Sequence, residues 1–213
     1  MTQWLVVAIS GVTNGGKSTV TRQLLEVLPN FTQLLCQDDY FYPEDSSCHI
    51  PCPGGLKHHN WDVITALDME KMKLDVRNII NSSPIKEEGG EDSLHASTCD
   101  SNSSIQTYRP VLLLDGFLIY DDSELTAMCD LRYFFTLSRE QCWERRRKRD
   151  YEPPDPPGYF DACVWPMYEE HLDRVRKNVS DVIFLDGTEN HFEIIHQQVL
   201  ELTKVNPNCK QLN

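Results

Sequence analysis

Apolar positions fall into two rhythms along this chain. Trp4-Leu-Val-Val-Ala-Ile9 is a short unbroken run rich in branched residues, the pattern of a parallel strand buried on both faces. Val20, Leu24, Leu25, Val27 and Leu28 then recur at helical spacing, and Pro29 is predicted to end that helix. The strand pattern returns at Phe31 to Cys36, Val111 to Asp115, Leu131 to Leu137 and Val182 to Leu185. Between these runs, Asp62 is placed to cap a helix that reaches about Ile80, with Val63, Leu67, Leu74 and Ile79 among its apolar positions. Ser138-x-x-Gln141 is a capping box that opens a further helix, one more runs from about Asp161 to Asn178, and a last helix covers 190–204.

The polar stretches divide into two kinds. Residues 43–60 hold prolines and glycines among polar groups and predict a loop or flap. Asn81 to Thr107 is rich in Ser, Glu, Asp and Gly, with too few apolar residues to bury, and predicts a solvated, disordered insertion. Strands alternating with helices, without an internal repeat, predict an α/β fold: a five-stranded parallel sheet with helices on both faces. A chain of 213 residues is expected to form one domain over 1–213.

The turn after the first strand changes the picture from fold to chemistry. Gly11-Val12-Thr13-Asn14-Gly15-Gly16-Lys17-Ser18 reads G-x-x-x-x-G-K-[ST], the P-loop pattern, and strand, glycine loop and helix follow in the order that motif requires. Backbone N–H groups of the loop and the start of the helix, reaching Thr19, converge on one small volume that the helix dipole makes positive. A phosphate chain fits there. Lys17 is expected to reach the β- and γ-phosphates and the Ser18 hydroxyl to bind Mg²⁺.

Composition excludes several partners. The formal net charge is −13, which argues against duplex nucleic acid or an anionic membrane, since both need basic surface. No basic leader or membrane-length apolar run is visible, and a cytoplasmic location is expected. The eight cysteines are scattered, and without a secretion signal they are expected to be reduced thiols. Cys48-His49-x-x-Cys52, with His58 and His59 following, has the composition of a zinc site but no standard finger spacing. A polar surface loop is the better reading.

Ligands in such sheets bind at the carboxyl ends of the strands. Asp38 and Asp39 follow the second strand, Asp115 ends the third and Asp186 follows the fifth. Beside a P-loop, one carboxylate can take the proton of an acceptor hydroxyl and another can hold Mg²⁺ directly or through water. That case extends to Asp38 and Asp115; Asp186 reads as a loop acid. Arg145 and Arg149 are four residues apart and predict one helix face, just before the Glu152-Pro-Pro-Asp155-Pro-Pro-Gly158 break. Residues 139–160 therefore predict a mobile lid over phosphates.

Taken together, Ile9 to Ser18, Gln37-Asp-Asp-Tyr-Phe41, Trp61-Asp-Val63, Asp115-Gly-Phe-Leu118, Pro153 to Asp161 and Val164-Trp-Pro-Met-Tyr168 resemble the nicotinamide riboside kinases. The resemblance spans nearly the whole chain apart from 81–107 and the C-terminal tail. It implies a P-loop NTPase fold and an enzyme that uses ATP and Mg²⁺ to phosphorylate the ribose 5′-hydroxyl of nicotinamide riboside, giving nicotinamide mononucleotide for NAD synthesis. Nicotinic acid riboside is a second candidate acceptor, and a monomer is expected. By the same resemblance, Asp38 is the proton acceptor, within a Gln-Asp-Asp-Tyr segment whose Asp39 and Tyr40 are further substrate candidates. Asp62 would bind the ribose hydroxyls, Trp61 and Tyr151 would flank the nicotinamide ring, and Arg145 and Arg149 would contact ATP, with Tyr151 beside them. Arg146 and Asp155 would serve the substrate side, and Ser18, Asp38 and Asp115 the metal. Family members often carry Glu at the position of Asp115, which here shortens the reach to the metal. Two rivals stay open: another small kinase of the uridine or pantothenate type, and a nucleotide-dependent switch that binds ATP or GTP without an acceptor.

Overall fold

The computed structural model describes residues 4–29, 31–83 and 108–204. Among them, five strands form one sheet: β1 (Leu5–Gly11), β2 (Thr32–Cys36), β3 (Val111–Asp115), β4 (Leu131–Thr136) and β5 (Val182–Asp186). Their order is β2-β3-β1-β4-β5 and every pairing is parallel. The unbroken apolar runs follow from this geometry, because alternate side chains enter different cores. Leu5, Val7 and Ile9 pack with Val20 and Leu24 of α1 (Lys17–Val27) and with Ile195 and Val199 of α6 (Phe192–Thr203). Val6 and Ala8 face the other way, toward Met72 and Val76 of α2 (Met69–Asn81), Leu125 of α3 (Ser123–Ala127) and Val175 of α5 (Trp165–Asn178). Helices therefore cover both faces, as the alternation predicted. The remaining helix, α4 (Arg139–Arg146), starts from the expected capping box, with Ser138 Oγ accepting from the Gln141 N–H at 3.2 Å.

Helix α1 ends at Val27 as Pro29 predicts, since the residue before a proline is driven out of helical space: Leu28 is extended, and its N–H closes the last turn on the Leu24 carbonyl. Several other boundaries differ from expectation. Asp62 caps no helix. A single 3₁₀ turn over Ile64–Ala66 intervenes, and Asp68 caps α2 by accepting from the Lys71 N–H at 3.0 Å. Helix α3, five residues long, is too short to show a period; Asp122 caps it through the Leu125 N–H at 2.9 Å. The stretch expected to begin a helix at Asp161 is a π-helical turn, Phe160–Val164, that hands over to α5 where Pro166 fits the first turn. Of the predicted insertion, Asn81 closes α2 and 84–107 lie outside the described residues. The Cys48–His59 loop is not simply a polar surface loop: His49 and Cys52 are buried, and hydrogen bonds Cys52 N–H to His58 O (2.9 Å) and Asn60 N–H to Ile50 O (2.8 Å) draw its two halves together.

Candidate active site

The parallel sheet aims the carboxyl ends of β2 and β3 and the loop after β1 at one cleft of about 870 Å³. Gly11 ends β1 with φ +120°, and a Cβ there would lie 2.2 Å from the Phe135 carbonyl oxygen of β4, so only glycine lets the loop leave the strand so close to its neighbour. Gly16 has φ +97° and opens α1, whose first turn presents Lys17, Ser18 and Thr19 to the cleft. Thr13, Asn14, Gly15 and Gly16 line it too, whereas Val12 is buried in the core below, its N–H on the Phe135 carbonyl at 2.9 Å. The Lys17 ammonium curls back and donates to the Val12 carbonyl at 2.8 Å. Burial pushes that amine down from its ordinary pKa, and the charges of Asp115 and Asp38 oppose the shift.

Register explains why the carboxylates gather. Cys36 of β2 pairs with Asp115 of β3, which pairs with Ile9 of β1. Residues just past these positions stand side by side at the cleft floor. After β2 the chain makes a 3₁₀ turn, Gln37–Tyr40, and three residues per turn send neighbours to different sides. Asp38 lines the cleft, where burial raises its carboxyl pKa while Lys17 draws it back. Asp39 is exposed outside the lining, and Tyr40 turns into the core, its hydroxyl donating to Asp75 Oδ2 at 2.9 Å. These two predicted substrate residues are not among the groups the structure brings together. Gln37 holds the floor instead: fully buried, its Oε1 accepts from the N–H groups of Phe117 and Leu118 at 3.0 and 2.9 Å, clamping the loop after β3. Asp186 closes a local turn by accepting from the Thr188 N–H at 2.8 Å.

The arginines converge by another route than a shared helix face. Helix α4 ends at Arg146, and tightened turns carry the chain on, Lys148 N–H to Arg145 O (3.3 Å) and Arg149 N–H to Arg146 O (3.0 Å). Even so, Arg145 donates to the Asn14 and Gly187 carbonyls at 3.0 and 2.9 Å, and Arg149 to Asn14 Oδ1 at 3.0 Å. Arg146 forms a bidentate pair with Asp155 (2.7 and 3.0 Å), reaches Thr13 Oγ1 at 3.2 Å and lies 4.2 Å from the Tyr151 ring centroid. Burial alone would lower the Arg146 guanidinium; Asp155 and Asp62 outweigh it and hold it above its ordinary value. Arg147 turns out to solvent and pairs with Glu144.

Trp61 and Asp62 close the cleft from the flap. The Trp61 ring packs 5.6 Å from Phe41 and 4.3 Å from His49 by centroid, with His59 beyond at 6.1 Å. Trp61 and Tyr151 line the same cleft. Burial raises the Asp62 carboxyl pKa, and Arg146 and a hydrogen bond from Tyr159 moderate the rise. Tyr159 lies in the Pro153 to Asp161 stretch that carries the resemblance but has no role assigned from sequence: its hydroxyl lies 2.8 Å from Asp62 Oδ2 across 97 residues of chain.

The oxygen donors at the floor suit a hard cation. The Ser18 hydroxyl and the Asp38 and Asp115 carboxylates line one side of the cleft, and among the described residues no group of three His, Cys, Asp or Glu forms a closed cage. Mg²⁺ binds in this manner, through one or two carboxylates with phosphates and water completing the shell.

No protein-family model matches the chain. Among curated proteins it is 39% identical over 197 residues to nicotinamide riboside kinase 2 of Mus musculus, covering 92% of this chain and 94% of that one. It is 35% identical over 192 residues to nicotinamide riboside kinase 1 of Homo sapiens, with 90% and 88% covered. A uridine kinase of Anoxybacillus flavithermus is 25% identical over 196 residues, with 89% and 90% covered. Of solved structures, a possible uridine kinase from Bacillus stearothermophilus shares the fold with a TM-score of 0.50 at 13% identity, over 86% of this chain and 90% of that one.

Proposed function

The chain belongs to the nicotinamide riboside kinase family, and from that premise we propose how its cleft performs the reaction. The chain phosphorylates nicotinamide riboside to nicotinamide mononucleotide with ATP as donor. The observation that carries the mechanism is that Lys17, Asp38 and Asp62 line one cleft although they come from three separate segments.

ATP lies with its phosphates along residues 13–19, where backbone N–H groups and the α1 dipole favour negative charge. Lys17 leaves the Val12 carbonyl and turns to the β- and γ-phosphates; an amine already desolvated loses little hydration in doing so. Asp38 accepts the proton of the ribose 5′-hydroxyl, and its raised pKa strengthens it as a base while Lys17 keeps it ionised. Asp62 receives the ribose hydroxyls, and Trp61 and Tyr151 flank the pyridinium ring. Ser18, Asp38 and Asp115 would hold Mg²⁺, which supplies charge neutralisation between the β- and γ-phosphates when bound. Arg145 and Arg149 exchange their bonds to Asn14 for phosphate oxygens, and residues 139–160 move with them as a lid.

The test is ADP release measured with and without nicotinamide riboside, beside uridine, pantothenate and nicotinic acid riboside. Turnover is expected only with a pyridine nucleoside. ADP formed at the same rate without any acceptor would establish a nucleotide-dependent switch instead.

A further inference from the structure

Tyr159 is fully buried at 1% exposure and belongs to neither the P-loop nor the flap. It sits where the Pro-rich segment after α4 enters the π-helical turn, its own N–H held by the Pro156 carbonyl at 3.0 Å. Its hydroxyl touches two groups at the end of the flap. The Trp61 N–H approaches the oxygen at 2.9 Å and can only donate to it. The single hydroxyl proton is thereby directed at the remaining neighbour, Asp62 Oδ2, at 2.8 Å. Oδ2 alone of the two Asp62 carboxylate oxygens takes a hydrogen bond among the described residues. His58 packs edge-on to the Tyr159 ring at 5.1 Å, and Arg146 lies 5.8 Å over it, itself fixed by Asp155. The ring cannot swing without breaking these contacts.

We infer that Tyr159 is a positioning residue for the acceptor nucleoside: it anchors one oxygen of Asp62 to the flap backbone, so that the other is presented to the ribose hydroxyls at a fixed angle. The inference rests on the assignment of Asp62 to the ribose. A backbone-to-hydroxyl-to-carboxylate relay fixes direction as well as distance, because each atom in it has one possible role. Tyr159 also ties the flap to the segment leaving α4, so the acceptor carboxylate and the Arg146–Asp155 pair share one support.

Tyr159→Phe keeps the ring packing and deletes only the hydroxyl. The KM for nicotinamide riboside is expected to rise about tenfold, the range for losing a hydrogen bond to a charged group, with kcat and the KM for ATP within about twofold. That split marks an interaction made equally in ground and transition states, as ribose anchoring would be. In an Asp62→Ala background, adding Tyr159→Phe should change the nucleoside KM by less than about twofold, since a positioning residue has nothing left to position. An unchanged nucleoside KM, an equal rise in the KM for ATP, or effects that multiply in the double variant would each overturn the role. Wild-type chain that turns over no nicotinamide riboside would remove the substrate assignment beneath it, a failure seen before any variant is made.

Discussion

Asp38 and Trp61 show how much a single side chain can be asked to do. Asp38→Asn keeps size and hydrogen bonding but removes the base. A fall of at least ~10² in kcat is expected with nucleoside KM little changed, the scale of a lost general base; steady-state kinetics at saturating ATP read this directly, and an unaltered kcat would reduce Asp38 to a spacer. Trp61 is both wall and packing. Trp61 lines the cleft, and its ring also packs against Phe41 and His49. Trp61→Leu should therefore raise the KM for nicotinamide riboside about tenfold and also lower the melting temperature by several degrees. The pyridinium ring gains ~0.5–2 kcal/mol over an aromatic face that uncharged uridine does not, so discrimination against uridine should fall as well; equal effects on both nucleosides would leave only the packing role. Much at this scale was legible. The P-loop residues are contiguous and self-announcing, and Asp38, Asp62 and Asp155 follow from the family resemblance. Tyr40 was not, because a 3₁₀ turn rotates it into the core, and Tyr159 was not, because its partner lies 97 residues away.

Among the elements, the turn after β5 carries more than its sequence suggests. Asp186-Gly187-Thr188 reads as an ordinary turn, and Asp186 and Thr188 do close one. The glycine, however, is required from outside the turn. A Cβ on Gly187 would stand 2.7 Å from the Gly15 carbonyl oxygen and 3.1 Å from that of Thr136, both backbone atoms that cannot step aside alone. The Gly187 carbonyl also accepts from Arg145 at 2.9 Å. Gly187→Ala should thus push the P-loop away from β5, raising the KM for ATP several-fold and lowering the melting temperature, while the KM for nicotinamide riboside moves less. A variant with wild-type ATP affinity would show that the loop absorbs the methyl group freely. The inner strands β1 and β3 were easy to read because sides buried in two cores give unbroken apolar runs; α3, with five residues, offers no period, and the early stop of α4 is set by tightened turns that leave no composition signal.

At the scale of the whole molecule, an acidic chain ties separate elements together through ionic hubs, one of them at Asp121. Asp121 accepts from His171 Nδ1 at 2.7 Å and from Arg174 Nε and Nη2 at 3.1 and 2.7 Å, joining the end of the β3 excursion to α5. Burial alone would raise its carboxyl; His171 and Arg174 outweigh that and bring it down to about 2. A carboxyl lowered on folding contributes stability that is present above its unfolded value, near 4, and lost as pH falls toward the folded one. Asp121→Asn should cost about 2 kcal/mol at pH 7, read from urea midpoints, and the gap from wild type should narrow below pH 4; a gap that stays constant down to pH 3 would exclude this hub as its source. The parallel sheet with helices on both faces followed from the apolar pattern, whereas the strand order and this hub, built from ordinary charged residues on separate elements, did not. The topology also divides labour. Under the proposed roles, the phosphate groups stand on the P-loop, α1 and the end of α4, while most acceptor groups belong to Trp61, Asp62 and the segment from Tyr151 to Tyr159, with Asp38 and Arg146 reaching in from the sheet edge and α4. The acceptor side is thus largely a cassette clipped to a fixed engine, so that two loops could be rewritten for another nucleoside without altering a strand.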